Sequence, residues 1–226
     1  MADIDTKTLI LDTAEQEFAD KGFGAVSLRH IMERAGVNPA AIHYHFGGKE
    51  ALVSAVFARR IGWLTQERMA LLDSCEAAAG NGPLSLETLL EAFVGPALRM
   101  TADPTKGGKV FVRLFGRTMA EPSDDLQYML NTQFGLTVHR FHAAFQRALP
   151  ELPSPVLLWR FQFVIGAMGY VMADPQNIKV MSGGLCDPAD TTTAIKQLVD
   201  FLSCGLRAPV THSGRKPRQH SSSINP

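Results

Sequence analysis

Residues 27–49 constrain the fold of this chain more than any other segment, because they predict two short helices separated by a tight turn. Ser27 is a suitable N-cap for the first helix, and Ile31 and Ala35 fall at helical spacing on an apolar stripe. Gly36 can adopt the left-handed conformation that ends a helix. The first helix is therefore expected to stop at residue 36.

A second helix is expected to begin immediately after this turn. Asn38 and Pro39 supply an N-cap and a proline at the first helical position, and Gly47 ends the helix after about eight residues. Ile42 and Phe46 are four residues apart and give this helix a buried side. Two short helices in this arrangement predict a helix-turn-helix, whose second helix enters the major groove of DNA.

The charge pattern around this segment suits a surface that faces DNA. Residues 21–49 carry four basic side chains and one acidic side chain, a net +3, whereas residues 3–20 carry one basic and six acidic side chains, a net −5. The whole chain is neutral, with 22 basic and 22 acidic residues. Phosphate binding depends on the local patch rather than on this total, so the neutral sum does not oppose the prediction.

Residues 22–52, GFGAVSLRHIMERAGVNPAAIHYHFGGKEAL, resemble the DNA-binding region of TetR/AcrR-type transcriptional regulators, and TLILDTAEQEFADKG before them resembles its amphipathic first helix. The resemblance implies a three-helix DNA-binding domain over residues 1–52. Gly48 departs from the serine or asparagine that the family often has as a cap, which suggests a looser start of the fourth helix. By this resemblance the expected base-edge residues are Pro39, Ala40, Ala41 and His43, and the expected phosphate contacts are Ser27, Tyr44, His45 and Lys49.

The rest of the chain predicts further helices and no strands, so the expected fold is all-α. We expect a larger C-terminal helical domain for ligand binding and dimerisation over residues 53–207, and a disordered basic tail over residues 208–226. One predicted helix, residues 155–173, is apolar on nearly every face, which predicts burial on all sides. The expected helices cover residues 49–79, 85–100, 110–119, 124–148, 155–173 and 187–207.

Aromatic and methionine residues are abundant in three of these helices, which is typical of an apolar small-molecule site. Interspersed arginines would suit an acidic head group. The second half of the chain also resembles the acyl-sensing branch of the family, so we expect a fatty acid or acyl thioester as effector. The alternative is that the aromatic stripe is core and the arginines face solvent. The candidate effector-binding residues are Arg113, Phe115, Arg117, Phe134, Arg140, Phe141, Trp159 and Phe163.

The last two long helices carry residues that suit a contact between subunits. The earlier helix has small and aromatic residues on one side (Phe163, Gly166, Ala167 and Tyr170), and the final helix has an apolar stripe (Ile195, Leu198, Val199, Leu202 and Leu206). In the resembled family these helices form a four-helix dimer interface, which implies a homodimer on a pseudo-palindromic double-stranded DNA operator. Intramolecular core is the alternative for each stripe. Effector binding would then release a repressor from its operator, with activation as the other possibility.

No enzyme, cofactor or metal motif is apparent in the sequence. His43 and His45 are two residues apart and point in different directions on a helix, and residues 107–109 lack the spacing of a phosphate-binding loop. Three cysteines without pair spacing predict a reducing compartment, and the uncharged apolar run at residues 161–173 is too short to cross a bilayer. We therefore expect a cytoplasmic protein that is not an enzyme. A competing hypothesis is a helical small-molecule-binding or interaction module with a vestigial DNA-binding head.

Overall fold

The computed structural model describes residues 5–106, 108–120 and 124–210, with the backbone alone for residues 39–42, 104, 109, 119, 120 and 125. Within these ranges the chain is helical and contains no strand, which confirms the all-α prediction. The predicted tail lies outside the described residues from position 211 onward. The helices are α1 (Thr6–Lys21), α2 (Leu28–Ala35), α3 (Pro39–Phe46), α4 (Lys49–Ala79), α5 (Leu86–Ala102), α6 (Gly108–Ala120), α7 (Asp124–Ala148), α8 (Ser154–Ala173), α9 (Asn177–Met181) and α10 (Thr191–Arg207), with a 3-10 turn at Pro104–Lys106.

Local capping signals mark the start of several of these helices. Ser85, where the sequence predicts the start of a helix, is the N-cap of α5, and its Oγ accepts a hydrogen bond from the Thr88 N–H at 3.3 Å. The final helix was predicted to open at residue 187, and this was wrong. Asp190 is its N-cap and accepts the Thr193 N–H at 3.0 Å, because an aspartate before three threonines competes with the earlier Asp-Pro pair.

Two apolar cores lie along the molecule and share α4. We call α1, α2, α3 and the first turns of α4 the head, and the remainder the body. The head core is built around Ile10, Phe18, Ile31 and Phe57, and it also includes Leu114 from α6 and Leu126 from α7. The body core is formed by buried side chains of α4, α5, α6, α7, α8 and α10. The predicted domain boundary at residue 52 therefore falls inside a continuous 31-residue helix.

The burial of the last two long helices differs in part from the prediction. The helix α8 is not buried on all sides, since Trp159, Phe163 and Tyr170 are exposed while Phe161 and Met168 are buried. The apolar stripe of α10 packs inward against α5 and belongs to the body core, which is the alternative of intramolecular core that the sequence left open. The outer face of α10 presents Phe201, which is also exposed.

By length and composition alone, α8 passes the test for a membrane-spanning helix, and it is the one helix in the described part of the chain that does so. The helix is longer than the uncharged apolar run at 161–173 because it begins seven residues earlier and includes Arg160. Its buried side chains pack in the body core.

Candidate nucleic-acid interface

The turn between α2 and α3 has the predicted geometry. Ser27 is extended and its Oγ accepts the His30 N–H at 3.1 Å, which confirms it as the N-cap of α2. Gly36 has φ 66° and ψ 29°, the left-handed conformation, and the Val37 N–H donates to the Met32 carbonyl at 3.2 Å. The turn therefore fixes the direction in which α3 leaves α2.

A nearly buried carboxylate on α1 holds α2 in place. Glu17 lies beneath the helix-turn-helix, and its oxygens are 2.8 Å from Lys21 Nζ, 2.6 Å from His30 Nε2 and 3.1 Å from Arg34 Nε. The hydrogen bond from Lys21, followed by that from His30, lowers the pKa of Glu17 from 4.5 to about 2. Glu17 therefore stays ionised and anchors two residues of α2.

A second buried carboxylate on α1 holds α4. Glu15 accepts a two-pronged interaction from Arg60, with Oε1 2.8 Å from Nε and Oε2 2.9 Å from Nη2, and it also accepts from Arg59. Arg59 Nη1 reaches Asp12 at 2.6 Å. Bidentate pairing fixes both distance and orientation. Helix α1 thus positions the helices on either side of α3. The sequence pattern did not predict Glu15 or Glu17 as scaffold residues.

The second half of α3 presents polar and aromatic side chains to solvent. Tyr44 is 86% exposed, and its ring meets that of His45 edge-on at 5.0 Å and 81°. His43 Nδ1 donates to the Gly47 carbonyl at 3.1 Å, which leaves Nε2 as the acceptor of the neutral ring. An exposed phenol and an imidazole acceptor can both make hydrogen bonds with DNA.

The predicted DNA-binding residues lie on three consecutive elements. Ser27, His43 and Tyr44 are exposed, whereas His45 and Lys49 are half-buried. The backbone of α3 includes Pro39, Ala40 and Ala41 in its first turn, and their side chains lie outside the description.

Three of the four basic side chains around the turn form local ion pairs. Lys21 and Arg34 pair with Glu17, and Arg29 pairs with Glu33 at 2.8 Å. By contrast, Lys49 at the start of α4 has no carboxylate partner among the residues described. The lysine is therefore the cation of this region that is best placed to neutralise a phosphate.

The arginines predicted to bind an effector do not meet around one space. Arg113 Nη1 is 2.7 Å from Asp20 Oδ1, and Arg117 Nη2 donates to the Asp20 carbonyl at 2.9 Å, so both join α6 to α1. Arg140 pairs with Asp73 at 2.8 Å and Glu76 at 2.6 Å on the surface of α4. The predicted grouping of these arginines around one space is therefore not seen: carboxylates of neighbouring helices hold Arg113 and Arg140, and a backbone carbonyl holds Arg117.

The predicted aromatic residues are also dispersed. Phe115 and Phe141 are buried in the body core, and Phe134 lies between the two cores. Trp159 and Phe163 are 67% and 62% exposed on the outer face of α8, so they do not line a space shared with Phe141. Hydrophobic periodicity alone could not separate the two faces of α8, since both are apolar.

A capped helix-turn-helix carried on an all-helical body defines the class of helix-turn-helix DNA-binding transcriptional regulators. Residues 10–56 match the family model for bacterial regulatory proteins of the tetR family. Residues 91–205 match the model for the tetracyclin repressor-like C-terminal domain. The chain belongs to the TetR family. The family and the relatives below are transcriptional regulators and not enzymes.

Known proteins resemble this chain over most of its length or over a shorter segment. The regulator BetI of Brucella suis is 24% identical over 197 residues, which is 87% of this chain and 89% of BetI. The regulator UidR of Escherichia coli K12 is 35% identical over 51 residues, 23% of this chain, and the match spans about a quarter (26%) of UidR. The crystal structure of FadR from Bacillus subtilis in complex with stearoyl-CoA has a TM-score of 0.59 at 14% identity, covering 87% of this chain and 97% of FadR. The likeness to FadR shows a common fold.

Proposed function

We propose that this chain is a cytoplasmic, homodimeric repressor that binds a pseudo-palindromic operator and leaves it when a small apolar effector binds. The observation that carries this proposal is the exposure of His43 and Tyr44 on α3 next to Lys49, which has no carboxylate partner among the described residues. Exposed side chains on the second helix of a helix-turn-helix are in the position that reads the major groove. Pro39, Ala40, Ala41 and His43 would face base edges, and Ser27, Tyr44, His45 and Lys49 would contact phosphates.

Substitution of the interface residues tests the DNA-binding part of the proposal. Tyr44→Ala and Lys49→Ala should weaken binding to an operator obtained by binding-site selection, and Lys49→Ala should lower the salt dependence by about one released counterion per half-site. Lys196→Ala on α10 is the matched control, because this lysine is exposed and pairs only with Asp200. Unchanged DNA affinity in both interface variants would support the competing module with a vestigial head.

The exposed apolar side chains of α8 and α10 support the homodimer. Trp159, Phe163 and Tyr170 on α8 and Phe201 on α10 are large and exposed in the single chain. The rings of Trp159 and Phe163 are neighbours, with centres 6.2 Å apart, and clustered exposed apolar side chains mark an interaction surface. Two such faces, related by a two-fold axis, would place two recognition helices on successive half-sites about 34 Å apart.

The common fold with FadR in its complex with stearoyl-CoA supports an acyl effector, either a fatty acid or an acyl thioester. Ligands that bind only the folded state raise its melting temperature. A thermal-shift screen of fatty acids and acyl thioesters should therefore find stabilising compounds, and these should also release the operator. An absence of stabilisation by either class, with DNA binding unaffected, would contradict the acyl part of the proposal.

The contacts between head and body supply a route for this release. Leu114 on α6 is fully buried in the head core, and Arg113 and Arg117 of the same helix contact Asp20 on α1. A shift of α6 in the body therefore moves side chains that pack under the helix-turn-helix. A coupling free energy of about 1–3 kcal/mol between the two sites would change operator affinity by up to about a hundredfold.

A further inference from the structure

Arg68 of α4 is a buried cation in the middle of the body core. The side chain is 3% exposed, its Nε donates to the Phe93 carbonyl at 2.7 Å, and its Nη2 contacts Met168 Sδ at 3.2 Å. Its guanidinium carbon lies 4.2 Å from the centre of the Phe93 ring. Desolvation lowers the pKa of Arg68 to about 9, so the group remains protonated at neutral pH.

The charge of Arg68 has no carboxylate partner within the described part of the chain. Arginines are rarely buried unless they are paired with an anion, because desolvation of a lone charge is costly. Other arginines of this protein follow the rule, since Arg60 pairs with Glu15 and Arg140 with Asp73. The contacts of Arg68 are a carbonyl, an aromatic face and a thioether, which is a weak acceptor.

Buried hydroxyl groups lie on the helices beside this cation. Thr65 is one turn before Arg68 on α4, and Thr137 lies on α7, and the hydroxyl oxygen of each is buried without a partner among the described residues. Thr137 lies one turn before Phe141, whose ring centre is 5.0 Å from that of Phe93, the ring beneath the Arg68 guanidinium. Unpartnered buried hydroxyls are uncommon in folded proteins, and a polar ligand would satisfy them.

Phenylalanine rings enclose the cation on its apolar sides. Phe93 lies 5.0 Å from Phe141 and 5.1 Å from Phe161, measured between ring centres, and all three rings are buried. Met168 is the flexible member of this shell, and a methionine side chain can change rotamer at little cost. An incoming anion that displaces Met168 from Nη2 would exchange a weak acceptor for a charge-assisted hydrogen bond.

We propose that Arg68 binds the free carboxylate of the effector, whose apolar body packs among these rings, so that the effector is an organic monocarboxylate and not an acyl thioester. The inference rests on the proposed function of an effector-responsive regulator and names the chemistry of its effector. A coenzyme A thioester is uncharged at the acyl carbonyl and carries its charge on bulky phosphates, which cannot reach a guanidinium that is 3% exposed. A free carboxylate is far smaller than those phosphates and matches the guanidinium fork.

Thermal shift on the full chain tests the proposal with defined probes. The probes are hexanoate, decanoate, palmitate and phenylacetate, the matching amides, and decanoyl-CoA. At least one carboxylate should raise the melting temperature by about 5–10 °C at a hundredfold excess over its Kd, and its amide should not. Failure of every acid, or equal shifts by acid and amide, would overturn the proposal.

Variants assign the effect to Arg68. R68M should lower affinity for the carboxylate by at least about thirtyfold and should leave the melting temperature of the ligand-free protein unchanged or higher, because a lone buried charge has been removed. R147M is the matched control, since Arg147 also donates to backbone carbonyls, those of Gly80 and Gly82, but is exposed. A lower ligand-free melting temperature of R68M, or undiminished carboxylate binding, would show a structural arginine and overturn the proposal. If R68M does not fold, R68K is used instead, and the melting-temperature shifts produced by acid and amide are compared. A smaller preference for the acid than in the wild type supports the proposal, and an unchanged preference overturns it.

The operator assay separates this inference from the proposed function. Stabilisation and operator release by decanoyl-CoA, without an effect of any acid, would leave the acyl-responsive regulator intact and refute the role of Arg68. Stabilisation by an acid that depends on Arg68, in a protein that binds no operator, would support the role of Arg68 and refute the proposed function as a DNA-binding regulator.

Discussion

Arg113 of α6 and Asp20 of α1 form an ion pair across the junction of body and head, with Nη1 and Oδ1 2.7 Å apart. The Asp20 carbonyl also accepts a hydrogen bond from Arg117. Two successive turns of α6 therefore bind the last turn of α1. The same helix α1 holds α2 through Glu17 and α4 through Glu15.

The strength of this junction can be measured with a double-mutant cycle. Replacing Arg113 and Asp20 by alanine, singly and together, should give a coupling free energy of about 0.2–1 kcal/mol in denaturant unfolding, because both side chains are about half exposed. The coupling should shrink in about 1 M salt, where charges are screened beyond about 3 Å. A coupling that is unaffected by salt would mean that the residues interact through packing instead.

Protonation of Glu17 should loosen the helix-turn-helix at low pH. Its pKa is about 2 in the folded protein and 4.5 ordinarily, so the stabilisation is complete above pH 4.5 and is lost as the pH falls toward 2. E17Q should therefore lower the free energy of unfolding by about 1–3 kcal/mol at pH 7, and the difference from wild type should fade over that window. E33Q is the control, because Glu33 pairs with Arg29 on the exposed side of α2. Its effect should stay below about 1 kcal/mol.

Gly36 should tolerate substitution poorly for reasons of backbone conformation alone. Its φ is 66°, and no atom lies within 4 Å of the position that a Cβ would occupy. Gly36→Ala should cost about 1–2 kcal/mol, seen as a melting temperature about 2–8 °C lower. Gly24→Ala is the matched control, since a Cβ at Gly24 would also meet no atom within 4 Å, but the backbone there is not left-handed. Equal effects of the two substitutions would contradict the argument from conformation.

A charged residue on the exposed aromatic face of α8 should disrupt the proposed homodimer. Phe163→Glu should convert the proposed dimer to a monomer in sedimentation while each chain keeps its helical content, because the side chain is 62% exposed in the single chain. Tyr128→Glu on α7 is the control, since Tyr128 is exposed on another surface, and it should sediment like wild type. A Phe163→Glu protein that remains dimeric would place the interface elsewhere.

Helix boundaries were predictable from sequence because their signals are local. Ser27, Gly36 and Ser85 act within their own turns, and the prediction for α4 matches the structure from Lys49 to Ala79. Two features were not predictable: which side of α8 is buried, and which residues pair with the arginines. Both depend on residues that are distant in sequence. Arg140, for example, is held by a carboxylate 67 residues away.

The burial of Arg68 could have been predicted from its position in the sequence, although not from composition. Arg68 occupies a place on the apolar stripe of α4, four residues after Leu64 and four before Leu72, where an amphipathic helix carries apolar residues. A charge on the buried side of a helix is the local signal that could have singled it out. The arginines that the sequence favoured lie instead on faces that meet solvent and carboxylates.

The presence of Leu114 and Leu126 in the head core limits how freely this protein can be recombined. A fragment that ends at residue 56 would leave an apolar gap where these two side chains pack, and so would a chimera that joins this head to the body of a relative. A functional hybrid would need to carry the facing surfaces of α6 and α7 together with the head. The part of the chain that would have to be transferred to keep DNA recognition therefore includes the head and the turns of α6 and α7 that carry Leu114 and Leu126, more than fifty residues further along.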